Sequence, residues 1–177
     1  MRTEFRLSGS GGQGLLLAGI VLAEAAILED KNVAQTQSYG PEARGGSSKA
    51  EVVVSDTDID YPKCIDPDYL LALTADSYKA YGPLQGKGVI IIDSSIALDP
   101  AIKAKTVTAP ILETAKKIGK AIVTNIVALG VIGGLSGIVK QDMLEKAVLD
   151  RVPKGTEELN ISALKAGFEL ASQIRNN

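Results

Sequence analysis

The sequence predicts an α/β fold: a three-layer domain with a mostly parallel sheet, helices on both faces and a helical C-terminal third. Three observations carry this. Short β-branched runs alternate with helical patterns through most of the chain, which is how a parallel sheet covered on both sides is written in sequence. A glycine-rich turn, Gly9 to Gly14, joins the first strand to the first helix. The last third holds helical patterns and no strand-period run. The chain has 177 residues. One domain spanning 1–177 is therefore expected, since domains commonly hold about 100–200 residues.

Each element has its own signal. Glu4–Ser8 reads as the first strand, ending in Gly9. Gly14–Leu28 is a helix apolar on most of its circumference, hence buried against a sheet. Asn32–Gln37 reads as a second strand and Ala50–Ser55 as a β-branched third. Between them lies the loop Ser38–Ser48, and Asp56–Asp68 is a turn-rich connection holding Pro62 and Pro67. Tyr69–Leu73 is a compact apolar strand, followed by a helix near Asp76–Tyr81. Val89–Asp93 is the clearest buried strand. Thr106–Ala109 is another, with Pro110 opening a helix over Ile111–Ile118 that stops at Gly119. The helices Asn125–Leu135, Gln141–Leu149 and Glu157–Ile174 complete the chain, the last with Thr156 as its expected N-cap.

Composition narrows function. Hydrophobic residues are 45% and aromatics 4%, so the core should be aliphatic. The formal charge is −2, from 19 basic and 21 acidic residues that are interspersed. That argues against a nucleic-acid binder, which shows a basic patch and often stacking aromatics. There is one cysteine, Cys64, and no histidine. No internal disulfide can form, and neither a zinc site nor an iron–sulfur cluster held by this chain alone is expected. Met1–Phe5 is charged and runs into a strand, unlike a signal peptide. The longest apolar stretch, Ile126–Leu135, is far short of the ~20 residues a membrane helix needs. The expected location is cytoplasmic, with no membrane contact.

Gly9-Ser10-Gly11-Gly12-Gln13-Gly14 matches G-x-G-x-x-G in its meaningful place, after a strand and opening a helix. Glycines allow a tight turn and close approach by a ligand, and the helix N-terminus favours an anion. A phosphate, pyrophosphate or carboxylate would suit. The plainer reading, close strand–helix packing, weighs about evenly. Dinucleotide binding fits poorly. Its fingerprint wants an acid near the end of the second strand, ~20 residues on. Glu29 and Asp30 fall before that strand, which ends in Gln35-Thr36-Gln37. No G-K-[ST] follows, so this is not a Walker A loop.

The most unusual stretch is Gln37-Ser38-Tyr39-Gly40-Pro41-Glu42-Ala43-Arg44-Gly45-Gly46-Ser47-Ser48. Arg44 can bind a carboxylate or phosphate through parallel hydrogen bonds, and Gly45-Gly46 lets backbone approach a ligand. A solvated loop with Arg44 paired to Glu42 or Glu51 is the plainer alternative. Together with the glycine loop and the following Ser-x-x-Glu-Val-Val-x-Ser-Asp, this string resembles the gamma subunits of 2-oxoacid:ferredoxin oxidoreductases, and most of all the 2-oxoglutarate:acceptor branch. The resemblance covers nearly the whole chain.

It implies a multi-subunit enzyme that oxidatively decarboxylates a 2-oxoacid with coenzyme A to acyl-CoA and CO₂, passing electrons to ferredoxin or a similar acceptor. Thiamine diphosphate, magnesium and iron–sulfur clusters are then expected in the alpha, beta and, where present, delta partner subunits. This chain would assist assembly and coenzyme A access, and would be inactive alone. Gly9, Gly11, Gly12, Gln13 and Gly14, with Tyr39, Arg44, Gly45 and Gly46, are the expected ligand or interface positions; no catalytic or metal-binding residue is expected. The isolated chain could self-associate. The competing reading is a stand-alone nucleotide- or coenzyme-A-binding module.

Three other features weigh less. Asp56, Asp58, Asp60, Asp66 and Asp68 lack calcium-loop spacing and read as an acidic surface loop. Asp93-Ser94-Ser95 ends a strand where ligands collect, but simple capping is favoured. Gly130, Gly133, Gly134 and Gly137 on an aliphatic helix point to close packing, for which a subunit interface is expected.

Overall fold

The computed structural model describes residues 1–38 and 47–176. Six strands form one sheet in the order β2-β3-β1-β4-β5-β6. They are β1 (Arg2–Ser10), β2 (Asn32–Ser38), β3 (Ser47–Ser55), β4 (Tyr69–Ala72), β5 (Val89–Asp93) and β6 (Lys105–Ala109). The helices are α1 (Leu15–Ile27), α2 (Ala75–Tyr81), α3 (Ile111–Ile118), α4 (Thr124–Ser136), α5 (Gln141–Arg151) and α6 (Glu157–Arg175).

β1, β4, β5 and β6 pair in parallel. β3 is antiparallel to both β1 and β2, so β2 runs in the same direction as β1, one strand away. Only β3 is reversed, and the expected mostly parallel sheet is present. β3 stands between β1 and β2, so the strands on either side of α1 are not neighbours.

β1 and β3 are each longer than their apolar runs suggest. Their ladder continues from Arg2 opposite Ser55 to Ser10 opposite Ser47, drawing polar residues and Gly9 into the sheet. Backbone hydrogen bonding, which any residue except proline supplies in full, sets that length.

The two faces are covered unequally. Phe5, Leu7, Val52, Val54, Leu71 and Ile91 meet α1, α3, α4, α5 and α6 in one aliphatic core. The other face packs Leu70, Ala72, Ile90 and Ile92 against Tyr78 of α2. Ile90, Ile91 and Ile92 are all fully buried, each worth about 1.5–3 kcal/mol. A strand apolar on both sides in this way belongs inside a doubly covered sheet.

α4 is buried on every side from Thr124 to Gly133, which explains an apolar circumference with no polar stripe. Its glycines serve this chain and not a subunit interface. A Cβ on Gly130 would lie closer than 3.0 Å to Leu164 O and to Gly167 Cα of α6. Gly133 similarly faces Leu144 and Phe168, and Gly134 faces Ala171 and Phe168. The expectation of an interface fails because the partner of the glycine surface is α6. The helix also continues through Gly133-Gly134 to Ser136 and ends at the left-handed Gly137.

Thr156 stands at the N-cap of α6 but makes no side-chain cap. Its hydroxyl donates to Pro153 O and accepts from Asn160 Nδ2 instead.

Candidate functional site at the carboxyl ends of the strands

The chain leaves β1 into α1 on the heavily covered face and leaves β4 into α2 on the other. β1 and β4 are neighbours, so their carboxyl ends form the topological switch point where open α/β sheets bind ligands. The glycine loop lies there.

Its glycines do different work. Gly9 is buried, and a Cβ there would strike the Gln13 carboxamide and crowd Leu15 and Leu73. Gly9 is thus a packing glycine. Gln13 closes the turn: its N–H donates to Ser10 O at 3.4 Å, and its Oε1 accepts from Ser10 N at 2.7 Å. Gly11 is exposed. Gly12 (φ 83°) and Gly14 (φ 72°) are left-handed, a conformation glycine adopts without penalty. Gly12 is exposed, with nothing within 4 Å of where a Cβ would stand.

Gly14 is fixed from α4. Asn125 Nδ2 donates to Gly14 O at 3.1 Å, and Ala18 N–H reaches the same carbonyl to start α1. A Cβ on Gly14 would lie 2.5 Å from Asn125 Nδ2. Sequence reasoning missed Asn125. The signal was available: a lone amide opening an otherwise apolar run, buried against another element.

α1 begins with no side-chain cap and no acid in its first turn. α2 caps itself, with Thr74 Oγ1 accepting from Ser77 N and Ser77 Oγ from Thr74 N. The exposed loop and the uncapped α1 terminus can therefore receive an anionic group.

β2 ends at Ser38, opposite Lys49, which in turn lies opposite Ser8. β3 begins at Ser47, opposite Ser10. Both ends of the 39–46 segment thus stand at the carboxyl end of β1, beside the glycine loop. Tyr39, Arg44, Gly45 and Gly46 lie outside the described residues.

The thinly covered face carries buried charge. Arg6 pairs with Glu51 at 2.8 Å, and Lys49 reaches Glu51 at 3.1 Å. The Arg6 guanidinium and the Lys49 ammonium lie 5.6 and 5.8 Å from the centre of the Tyr81 ring. Nearby, Glu4 accepts from Arg2 Nε (2.8 Å), Ile65 N (2.7 Å) and Asp66 N (3.1 Å). Burial pulls the Glu4 carboxyl upward, but Arg2 and the Ile65 amide outweigh it and hold it below 4.5. A carboxylate with a depressed folded value contributes stability that is full above its unfolded value and lost as pH falls through the folded one. Acid melting of the wild type should therefore steepen below pH 4.5. Glu4→Gln should be less stable at neutral pH and flatter in that window, and parallel curves in thermal scans against pH would refute this assignment.

Cys64 is buried, and burial pushes its thiol up to about 12, with Glu4 and Glu51 raising it and Arg6 opposing. A thiol so held is no nucleophile at neutral pH. Three of the five aspartates of the 56–68 connection serve structure: Asp68 accepts from Glu4 N, Asp66 from Gly86 N, and Asp56 pairs with the N-terminal ammonium. Among the described residues no cluster of metal-ligating side chains forms. Asp93 caps, as favoured from sequence: Oδ1 accepts from Ser95 N and Oδ2 from Leu112 N at the start of α3. Among the described residues no helix is long and apolar enough to cross a membrane.

Residues 4–170 match the family described as pyruvate ferredoxin/flavodoxin oxidoreductase. The chain belongs to that family. Within it, the chain is similar to 2-oxoglutarate synthase subunit KorC of Methanocaldococcus jannaschii, at 47% identity over 180 residues, covering 98% of this chain and 96% of the relative. It is also similar to the gamma subunit of a keto/oxoacid ferredoxin oxidoreductase from Geobacter sulfurreducens, with a TM-score of 0.89 at 45% identity over 98% of each chain. A 2-oxoglutarate:ferredoxin oxidoreductase from Magnetococcus marinus, solved with 2-oxoglutarate, coenzyme A and succinyl-CoA, shares the fold. There the TM-score is 0.89 at 20% identity, and the match covers 97% of this chain but 31% of the longer one. The chain is thus a gamma-type oxidoreductase subunit, and the gamma-subunit resemblance read from its two loops is correct.

Proposed function

We propose that this chain, as one gamma-type domain over 1–177, serves a cytoplasmic, multi-subunit 2-oxoglutarate:ferredoxin oxidoreductase. The complex would cleave CO₂ from 2-oxoglutarate, transfer the succinyl group to coenzyme A and pass the electron pair to ferredoxin or a similar acceptor. Full-length similarity to 2-oxoglutarate synthase subunits supports this choice of substrate. The described residues offer one buried thiol and no metal cluster. In this reading thiamine diphosphate, magnesium and iron–sulfur clusters belong to the alpha, beta and delta partners.

The observation that carries this chain's own role is the meeting of the glycine loop with both ends of the 39–46 segment at one end of the sheet. Gly12, open and left-handed before the uncapped α1, fits an anionic part of coenzyme A. Gly9, Gln13 and Gly14 shape that loop, and Gly11 lines it. Tyr39, Arg44, Gly45 and Gly46 would complete the site, with Arg44 binding phosphate or carboxylate.

Co-expression with the neighbouring subunits should yield a thiamine- and iron–sulfur-containing complex that reduces ferredoxin with 2-oxoglutarate. Arg44→Ala should lower that activity while leaving the melting temperature of the chain unchanged. A chain that never enters such a complex, yet binds coenzyme A tightly in calorimetry, would establish the stand-alone module instead.

A further inference from the structure

The connection from β3 to β4 is irregular but firmly held. Arg2 donates to Tyr61 O (3.0 Å) and Lys63 O (3.1 Å) while its Nε is bound to Glu4. The second Glu4 oxygen takes the amides of Ile65 and Asp66. Asp66 in turn accepts from Gly86 N at 3.2 Å, and Gln85 Nε2 donates to Pro67 O, which ties the connection to the short turn after α2.

This ordered framework holds apolar side chains outward. Tyr61 is 50% exposed, Ile65 71% and Leu84 69%. Single exposed apolar residues are common and need no explanation. Here, though, three stand on adjoining segments: the part-buried Arg2–Glu4 pair fixes the backbone at Tyr61 and Ile65, and the bonds of Asp66 and Pro67 to Gly86 and Gln85 hold the turn that carries Leu84. They also lie on the face of the sheet that carries only α2 as a helix among the described residues. Anchors whose ordering is already complete before contact are what tight interfaces use. The surroundings are acidic: residues 56–68 hold five aspartates against one lysine, and Asp58 and Asp60 are exposed.

We propose that Tyr61, Ile65 and Leu84 form the surface that docks this chain onto a partner subunit whose matching patch is apolar at its centre and rimmed by lysine or arginine. The inference rests on the gamma-subunit reading. Apolar anchors supply affinity at the centre, and the aspartates steer a basic rim and fix its register.

The test uses the complex co-expressed from all its subunits. Ile65→Arg and Leu84→Arg should each weaken assembly at least about tenfold, with the melting temperature of the purified chain unchanged, since both positions are exposed. Ile27→Arg, on the α1 face, should assemble like the wild type. Asp58→Lys with Asp60→Lys should slow association most at low salt. A photo-crosslinking residue at position 65 should label a partner subunit, which keeps the test valid if an arginine variant folds badly. If the wild type assembles and both arginine variants assemble equally well, or if position 65 labels nothing while position 27 labels a partner, the docking surface is wrong and the gamma-subunit reading survives. If the wild type does not assemble at all, both fall.

Discussion

Gly130→Val should destabilise the protein by at least about 3 kcal/mol, lowering the melting temperature by roughly 6–12 °C, or abolish soluble expression. The reason is the approach of two backbones. At Gly130 a Cβ would press on Leu164 O and Gly167 Cα, and at Gly167 it would press on Val127 O and Gly130 Cα. Backbone cannot swing aside as a long side chain can, so α4 and α6 would have to separate. That separation would loosen the aliphatic core through Ile126, Val127, Val131 and Leu164. Gly155→Ala supplies the contrast. Gly155 is left-handed (φ 88°) but has open space around it, so the change costs only about 1–2 kcal/mol of backbone strain. Thermal melts of the two variants separate steric from conformational need. Similar losses in both would show that the helix–helix approach is less tight than described.

Gly12→Val should act on the other property of the chain. Gly12 has room for a side chain, so the domain should fold and assemble, losing at least about 1–2 kcal/mol to strain at its positive φ. The valine would, however, stand where the proposed function places an anionic part of coenzyme A, at the α1 terminus. In the assembled oxidoreductase the KM for coenzyme A should rise roughly tenfold with kcat at saturation unchanged, the pattern of a lost ground-state contact. Steady-state rates against coenzyme A concentration decide it. An unchanged KM would remove the glycine loop from the ligand site and leave it a packing device.

Much of the architecture is legible residue by residue. Val89–Asp93 is a strand with the bounds expected of it, because an apolar β-branched run between Gly88 and a polar turn admits little else. Ile111–Ile118 likewise follows from Pro110 and Gly119. The position of β3 is not legible. Strand order depends on which distant run fills a gap, and Ala50–Ser55 looks the same at any place in a sheet. The glycines of α4 announce a close approach but not its partner, since hydropathy does not distinguish a neighbouring helix from a neighbouring chain. Within the site, the G-x-G-x-x-G string locates the loop correctly. It does not reveal that Gly9 packs, that Gln13 closes the turn and that Gly12 stands open in a left-handed conformation. Those distinctions depend on Leu73 and Asn125, contributed by β4's end and by α4.

The reversed strand also bears on the order in which the chain can fold. β1 and β2 share no hydrogen bonds with each other, because β3 separates them. As the polypeptide emerges during synthesis, the first strand, helix and second strand therefore cannot close into a sheet by themselves. They must wait until residue Ser55 is available to complete the ladder that begins at Arg2. The N-terminal third thus completes its sheet only once β3 is present, and a ribosome pausing before that point leaves two strand edges facing solvent.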